Sequence, residues 1–235
     1  MGAGVGGAGR VEPGRGWVEQ GWVAWSGGGV WWDRGMVAAL RGFHPADLPG
    51  MYRLCLVTGD AGRDASDLYR NPDLLGHLYA GPYPVADPGL TFVVVDDEGV
   101  AGYVVATADS AAFGRWLDER WWPTLRAQHP RVPDPGDGTL DHVLIDRLHD
   151  WSADPEPQHG RFPAHLHIDL APRLQGQGWG RRLIETLNDA LRARGVPGLH
   201  LGVDARNTGA IAFYEHLGFT TFATHDWGRT LVLPL

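Results

Sequence analysis

The sequence predicts an α/β fold of the α+β kind, and three observations carry the prediction. Between residues 164 and 170, apolar Leu166, Ile168 and Leu170 alternate with polar His165, His167 and Asp169, the period-2 mark of a strand with two unlike faces. Pro172 then stops ladder pairing, and Gly176, Gly178 and Gly180 follow at every second position. Leu183, Ile184, Leu187 and Leu191 recur at helical spacing up to Gly195, a natural C-terminal cap. A second strand and helix come next. Residues 198–205 read as a strand; Asn207 suits an N-cap, Ile211, Tyr214 and Leu217 form a stripe, and Gly218 with Phe219 suits a glycine cap with its apolar contact.

The remaining elements follow in order. Residues 1–35 hold twelve of the 34 glycines and five of the eleven tryptophans, with three acids balanced by three arginines. No strand or helix period survives across Gly2–Gly9 or Gly27–Gly29, so this stretch reads as a disordered or extraneous arm, with Met36 as the expected true start of the protein. Residues 37–40 predict a strand. Asp47 then opens a helix through Met51, Leu54, Cys55 and Val57, and a second helix covers 66–79 with an interruption at Asn71 and Pro72. Gly81–Pro84 reads as a fixed turn. Residues 91–96 and 100–107 predict a hairpin around Asp97, Glu98 and Gly99, and 111–128 one helix. The segment 129–163 holds six prolines and reads as an insertion with a short helix at 140–151. Residues 220–224 and 230–233 supply the last two strands.

At 235 residues the chain can bury one sizeable core, and one domain is the default. No run of eighteen apolar residues predicts a membrane span, and no signal-peptide pattern opens the chain. Cys55 is the single cysteine, which rules out a disulfide within the chain and fits a reducing cytoplasm; its apolar surroundings suit a buried small hydrophobe. A net charge of −8 and the lack of arginines interleaved with aromatics argue against nucleic acid as a partner and favour a cationic acceptor. Nothing in the pattern bears on oligomeric state.

The glycine loop carries the chemistry. A helix that starts inside it presents unpaired N–H groups and the positive end of its dipole to whatever lies in front. Arg181 and Arg182 in the first turn oppose that dipole unless an anion binds there, although the same spacing also suits an ordinary αβ loop with two solvated arginines. A Walker loop needs a lysine, and the chain has none. A dinucleotide fingerprint needs its third glycine one residue later, while Asp204 at the end of the next strand mimics the ribose-binding acid of that alternative.

The string Gln175-Gly176-Gln177-Gly178-Trp179-Gly180 resembles the Q-x-x-G-x-G pyrophosphate loop of the GNAT acetyltransferases, which bind acetyl-CoA. The string from Asn207 through Ala210, Phe213, Tyr214, Leu217, Gly218 and Phe219 is similar to the second acetyl-CoA motif of that superfamily. The element order over residues 36–235 also resembles the GNAT fold, which implies a mixed central sheet with helices on both faces. A narrower likeness, to bacterial relatives of the acetyltransferase-like C-terminal domain of O-GlcNAcase, rests on Asp64, Leu68-Tyr69, Pro72 to Gly76, Ala80 to Tyr83, and Ala101 to Tyr103. No glycoside hydrolase domain is present, so the hydrolase activity does not carry over.

The resemblance implies that the strand before the loop splays from its neighbour and pairs with the pantetheine arm through Ile168, Asp169 and Leu170, one of whose N–H groups polarises the thioester carbonyl. It implies that N–H groups from Gln175 through Gly176, Gln177, Gly178, Trp179 and Gly180 hold the pyrophosphate, with Arg181 or Arg182 beside them. Asn207 matches the residue that bonds the pantetheine arm, and Tyr214 the tyrosine that protonates the departing thiolate; as alternatives, Asn207 is only a cap and Tyr214 only core. A base must also free the acceptor amine, and His165, His167 and Asp169 share one strand face, with Asp169 and His167 taken as the catalytic candidates. The same three side chains also suit a plain polar face. Their spacing permits a metal, but no further ligand cluster accompanies them and none is expected. The expected activity is therefore acetyl transfer from acetyl-CoA to an amine. Its rivals are a non-catalytic module that binds acetyl-CoA and an NAD-binding oxidoreductase. Tyr69, Tyr83, Asp109, Trp116 and Trp122 are the candidates for the acceptor pocket.

Overall fold

Seven strands form a single sheet in the computed structural model, which describes residues 38–151 and 156–235. The strands are β1 (Ala39–Gly42), β2 (Thr91–Asp96), β3 (Gly99–Thr107), β4 (Ala164–Leu170), β5 (Gly198–Asp204), β6 (Thr220–His225) and β7 (Gly228–Pro234), in spatial order β1-β2-β3-β4-β5-β7-β6. Every neighbouring pair is antiparallel except β4 and β5. A dinucleotide fold needs a parallel sheet at its switch point, so this topology removes the NAD-binding alternative. The glycine-rich arm expected at 1–35 lies outside the described residues.

Eight α-helices accompany the sheet among the described residues: α1 (Leu48–Val57), α2 (Leu74–Tyr79), α3 (Pro82–Ala86), α4 (Ser110–Trp116), α5 (Trp122–Gln128), α6 (Asp141–Asp150), α7 (Trp179–Ala193) and α8 (Thr208–His216). They cover both faces, with α1 against β3 and β4 and α7 against β2, β3 and β4. The stripe on α7 is the reason it docks. Leu183, Ile184, Leu187 and Leu191 are fully or almost fully buried, each contributing about 1.5–3 kcal/mol, while Arg182, Glu185, Asp189 and Arg192 stay in water.

Three local expectations change. The stretch Gly81–Pro84 is not a fixed turn but the entry to α3, because Pro82 sits at a first-turn position where no N–H is needed. The helix expected over 66–79 is a 3₁₀ turn (Ser66–Leu68), an extended link at Tyr69, and then α2. The helix expected over 111–128 is α4 and α5 joined by a π-helical turn, Leu117–Trp121. Pro123 lacks the N–H that would continue the α ladder, and the wider turn absorbs the gap.

The β3–β4 register positions the site. Tyr103 opposes Asp169, Val105 opposes His167 and Thr107 opposes His165, so these six side chains share one face. On that face lie Thr58 at the end of α1 and Tyr83 of α3, which reach Asp169 and His165 respectively.

Candidate active site

The parallel pair opens almost as soon as it forms. Only Ala164 with Leu199 and His165 with His200 pair between β4 and β5; beyond them the strands part. Ala171 N–H donates to the Ala101 carbonyl at 2.8 Å, which fixes the alternation along β4. By that alternation Asp169 and His167 turn their main-chain groups toward β3, and Ile168 and Leu170 turn theirs toward the opening. Asp169 was expected to offer its backbone to the cleft along with its neighbours. Instead its main chain belongs to the ladder, and it enters the site through its side chain.

The glycine loop closes the end of this opening. A 3₁₀ turn, Pro172–Leu174, leads in, and Gly178 caps α7 with φ +81°. Gly176 has φ +71°, and neither residue has any atom within 4 Å of where a side chain would begin. That is a backbone shape glycine alone adopts without strain, facing open space a ligand can use. The N–H groups of Gly176, Gln177 and Gly178 have no partner of good geometry among the described residues, nor do those of Trp179, Gly180 and Arg181 at the start of α7. Six consecutive donors at a helix start suit a pyrophosphate. The Gln175 N–H does not join them, because it closes the 3₁₀ turn on the Pro172 carbonyl at 3.2 Å. Its side chain instead donates to the Leu170 carbonyl at 3.1 Å.

Gly180 is there for another reason. A Cβ on it would lie 3.0 Å from the Phe213 ring, so its smallness lets α7 start against α8. Arg181 donates to His216 Nε2 at 2.8 Å, and Arg182 lies over the Trp179 ring at 4.1 Å. Gln177 is anchored to the Arg173 carbonyl at 2.7 Å. Asn207 caps α8 through its Oδ1, which accepts from Ala210 N–H at 3.0 Å, and its Nδ2 faces the turn at Gly62. An ion-pair chain secures that turn: Arg206 bonds Asp60 at 2.8 Å and Asp204 at 2.9 Å, tying the end of α1 to the β5–α8 loop.

The polar face of β4 divides into unlike parts. Ser110 Oγ lies 2.7 Å from the Pro163 carbonyl and 2.6 Å from His165 Nδ1. Ser110 has one proton, so if it donates to the carbonyl, Nδ1 carries the proton on the histidine, and Nε2 accepts from the Tyr83 hydroxyl at 2.8 Å. Both nitrogens of His165 are thereby committed, which removes it as a base. Burial keeps it neutral, far below the ordinary histidine range. His167 has no hydrogen bond among the described residues; it sits edge-on to Tyr79 and Tyr83, and burial pushes its pKa down to about 4. Asp169 accepts from the buried Tyr103 hydroxyl and lies 2.8 Å from Thr58 Oγ1, which is also 2.8 Å from the Leu54 carbonyl. One hydroxyl proton cannot serve both in full, so Thr58 is shared between the carboxylate and the carbonyl; burial raises the Asp169 pKa, while the Tyr103 and Thr58 hydroxyls favour its ionised form.

Tyr214 is buried on α8, and burial together with the charge of Asp169 pushes its hydroxyl above the ordinary phenol range. It therefore holds a proton at neutral pH. Thr58 and Tyr103 had no part in the sequence-based assignment of catalytic groups: no motif marks Thr58, and Tyr103 shows its role only once β3 and β4 are in register. Of the residues proposed for the acceptor pocket, Trp122 is wholly buried in the core and cannot line it. Trp116 stacks on Phe113 and Trp121, and Asp109 caps α4 through Ala112 N–H. Among the described residues no group of three or more His, Cys, Asp or Glu is arranged to hold a metal. No described helix is long and apolar enough to cross a membrane.

Comparison with known proteins agrees with this geometry. The model of the acetyltransferase (GNAT) family matches residues 64–219. Protein O-GlcNAcase of Rattus norvegicus is 23% identical over 185 residues, covering 77% of this chain and 20% of that protein. The chain thus spans about one fifth of the curated relative's length. Mycothiol acetyltransferase of Beutenbergia cavernae is 40% identical over 94 residues, 40% of this chain and 29% of that protein. The crystal structure of SsHAT superposes with a TM-score of 0.78 at 36% identity, covering 84% of this chain and 98% of that one.

Proposed function

The chain belongs to the acetyltransferase (GNAT) family, and on that premise we propose that it moves an acetyl group from acetyl-CoA directly to an amine, without a covalent enzyme intermediate. The observation that carries the proposal is the parallel strand pair that stops after two residue pairs, in front of six N–H groups without a partner of good geometry among the described residues. Acetyl-CoA supplies an activated thioester and a pyrophosphate; the chain supplies the rest. The N–H groups of Gly176 through Arg181 hold the phosphates, and the free edge of Ile168 and Leu170 aligns the pantetheine arm. Asn207 keeps its amide nitrogen for the same arm while its oxygen caps α8.

Proton traffic falls to three side chains. Tyr214, protonated at neutral pH, is placed in the motif that gives a proton to the leaving sulfur. Asp169 takes the proton from the amine: a carboxylate whose pKa burial has raised is a better base than one in water. His167 is neutral, with a free lone pair beside it, and serves as the second acceptor or orients a water. The reaction is read by release of free thiol from acetyl-CoA over a panel of amines. Thiol release with at least one amine is expected. Protection against melting by acetyl-CoA without any release would identify a binding module instead.

A further inference from the structure

Arg147 projects from α6, within the segment between α5 and β4, and its Nη1 donates to the hydroxyl of Tyr79. Tyr79 closes α2 and lays its ring against His167, with centroids 5.3 Å apart. Tyr69 lies in the same group, close to Tyr79 and Arg147. An arginine held to a tyrosine thus stands over the face of β4 that carries the proposed base.

The two carboxylates that act on neighbouring Tyr69 are already held: Asp60 by Arg63 and Arg206, and Asp141 by the N–H groups of Arg70 and Asn71. Arg147 itself is exposed, and among the described residues no carboxylate lies within ion-pair distance of it. The Tyr79 bond restrains the guanidinium without neutralising it, leaving donors free in a planar fork that matches a carboxylate. In a chain of net charge −8, such a cation beside the proposed site selects what arrives there.

We propose that Arg147 anchors a carboxylate of the acceptor, so that the substrate is an amine whose own molecule also bears a carboxylate. This rests on the acetyl-transfer reading, since the amine end must then reach Asp169 and His167. A free amino acid and a peptide with an acidic side chain present the same pair of groups. Tyr79 is a positioning residue in this arrangement: it fixes Arg147 and touches the histidine.

The test uses matched acceptors in which a carboxylate is replaced by its primary amide, in two arms: free ω-amino acids with their amides, and short peptides carrying Glu with the same peptides carrying Gln. Wild type is expected to favour the carboxylate member at least tenfold in kcat/KM, chiefly through KM, in one of the arms, and that arm identifies the source. The preference should vanish in Arg147→Gln, survive partly in Arg147→Lys, and weaken in Tyr79→Phe, which keeps the charge but frees it. Equal use of amide and carboxylate by wild type, or a preference that survives Arg147→Gln, overturns the proposal. If no amine releases thiol, acetyl transfer fails as a separate matter. Arg147 is then judged by melting with the same compounds: a shift for carboxylates lost in Arg147→Gln supports the anchor, and no carboxylate-specific shift overturns it.

Discussion

Acidification is expected to unfold this protein partly through one histidine. His167 is held neutral in the fold, with its pKa pushed down to about 4 by burial among Tyr79 and Tyr83. An unfolded chain returns it to the ordinary value near 6.5. Between those values the unfolded state binds a proton that the folded state refuses, so stability is complete above about pH 6.5 and falls as pH drops toward 4. From pH 7 to pH 5 the loss from this one side chain is about 2 kcal/mol. In a chain of this size that is worth about 4–8 °C in melting temperature. His165 and His200 act in the same direction, and Asp169, whose pKa is raised, acts against them. Comparing wild type with His167→Phe cancels these common contributions. Urea unfolding of both proteins at pH 7, 6 and 5, without acetyl-CoA, gives the stability difference at each pH. That difference should move by about 2 kcal/mol in favour of the variant at pH 5. A difference constant to within about 0.5 kcal/mol would refute the claim that the fold excludes a proton from His167.

Other outcomes test the remaining assignments. Tyr214→Phe should lower kcat about 10²-fold or more while calorimetry shows nearly unchanged acetyl-CoA affinity, and equal loss of both would contradict its role as proton donor. Gly178→Val should abolish acetyl-CoA binding, because a β-branched residue is strained at φ +81° and projects into the space in front of the loop. Gly180→Ala should instead lower the melting temperature through contact with Phe213; a Gly178→Val protein that still binds would end the loop assignment. The acidic limb of kcat/KM should follow a carboxyl titrating above the ordinary range, since Asp169 must lose its proton to act as base. Asp169→Asn should remove that limb, and Tyr103→Phe, which deletes a donor that favours the carboxylate, should move it to higher pH. A limb unmoved by Tyr103→Phe would assign the titration elsewhere.

What the sequence determined by itself is whatever repeats at short range. Alternation in His165–Leu170 requires a strand, the leucine stripe from Leu183 to Leu191 requires a buried helix face, and glycines at 176 and 178 require a loop free of side chains. Each follows from a period or a backbone freedom that a few neighbouring residues settle. Asn207 as a cap was legible for the same reason. The division of labour among His165, His167 and Asp169 was not, because all three occupy equivalent positions along one strand. Only tertiary structure separates them: Ser110 and Tyr83 come from distant segments to occupy His165, and Thr58 and Tyr103 to hold Asp169. Proton positions depend on partners brought together by folding, and burial shifts a pKa by removing water, neither of which is written in local spacing. The same holds for Arg147, whose partner Tyr79 lies 68 residues away in sequence and meets it only across the packed face of the domain.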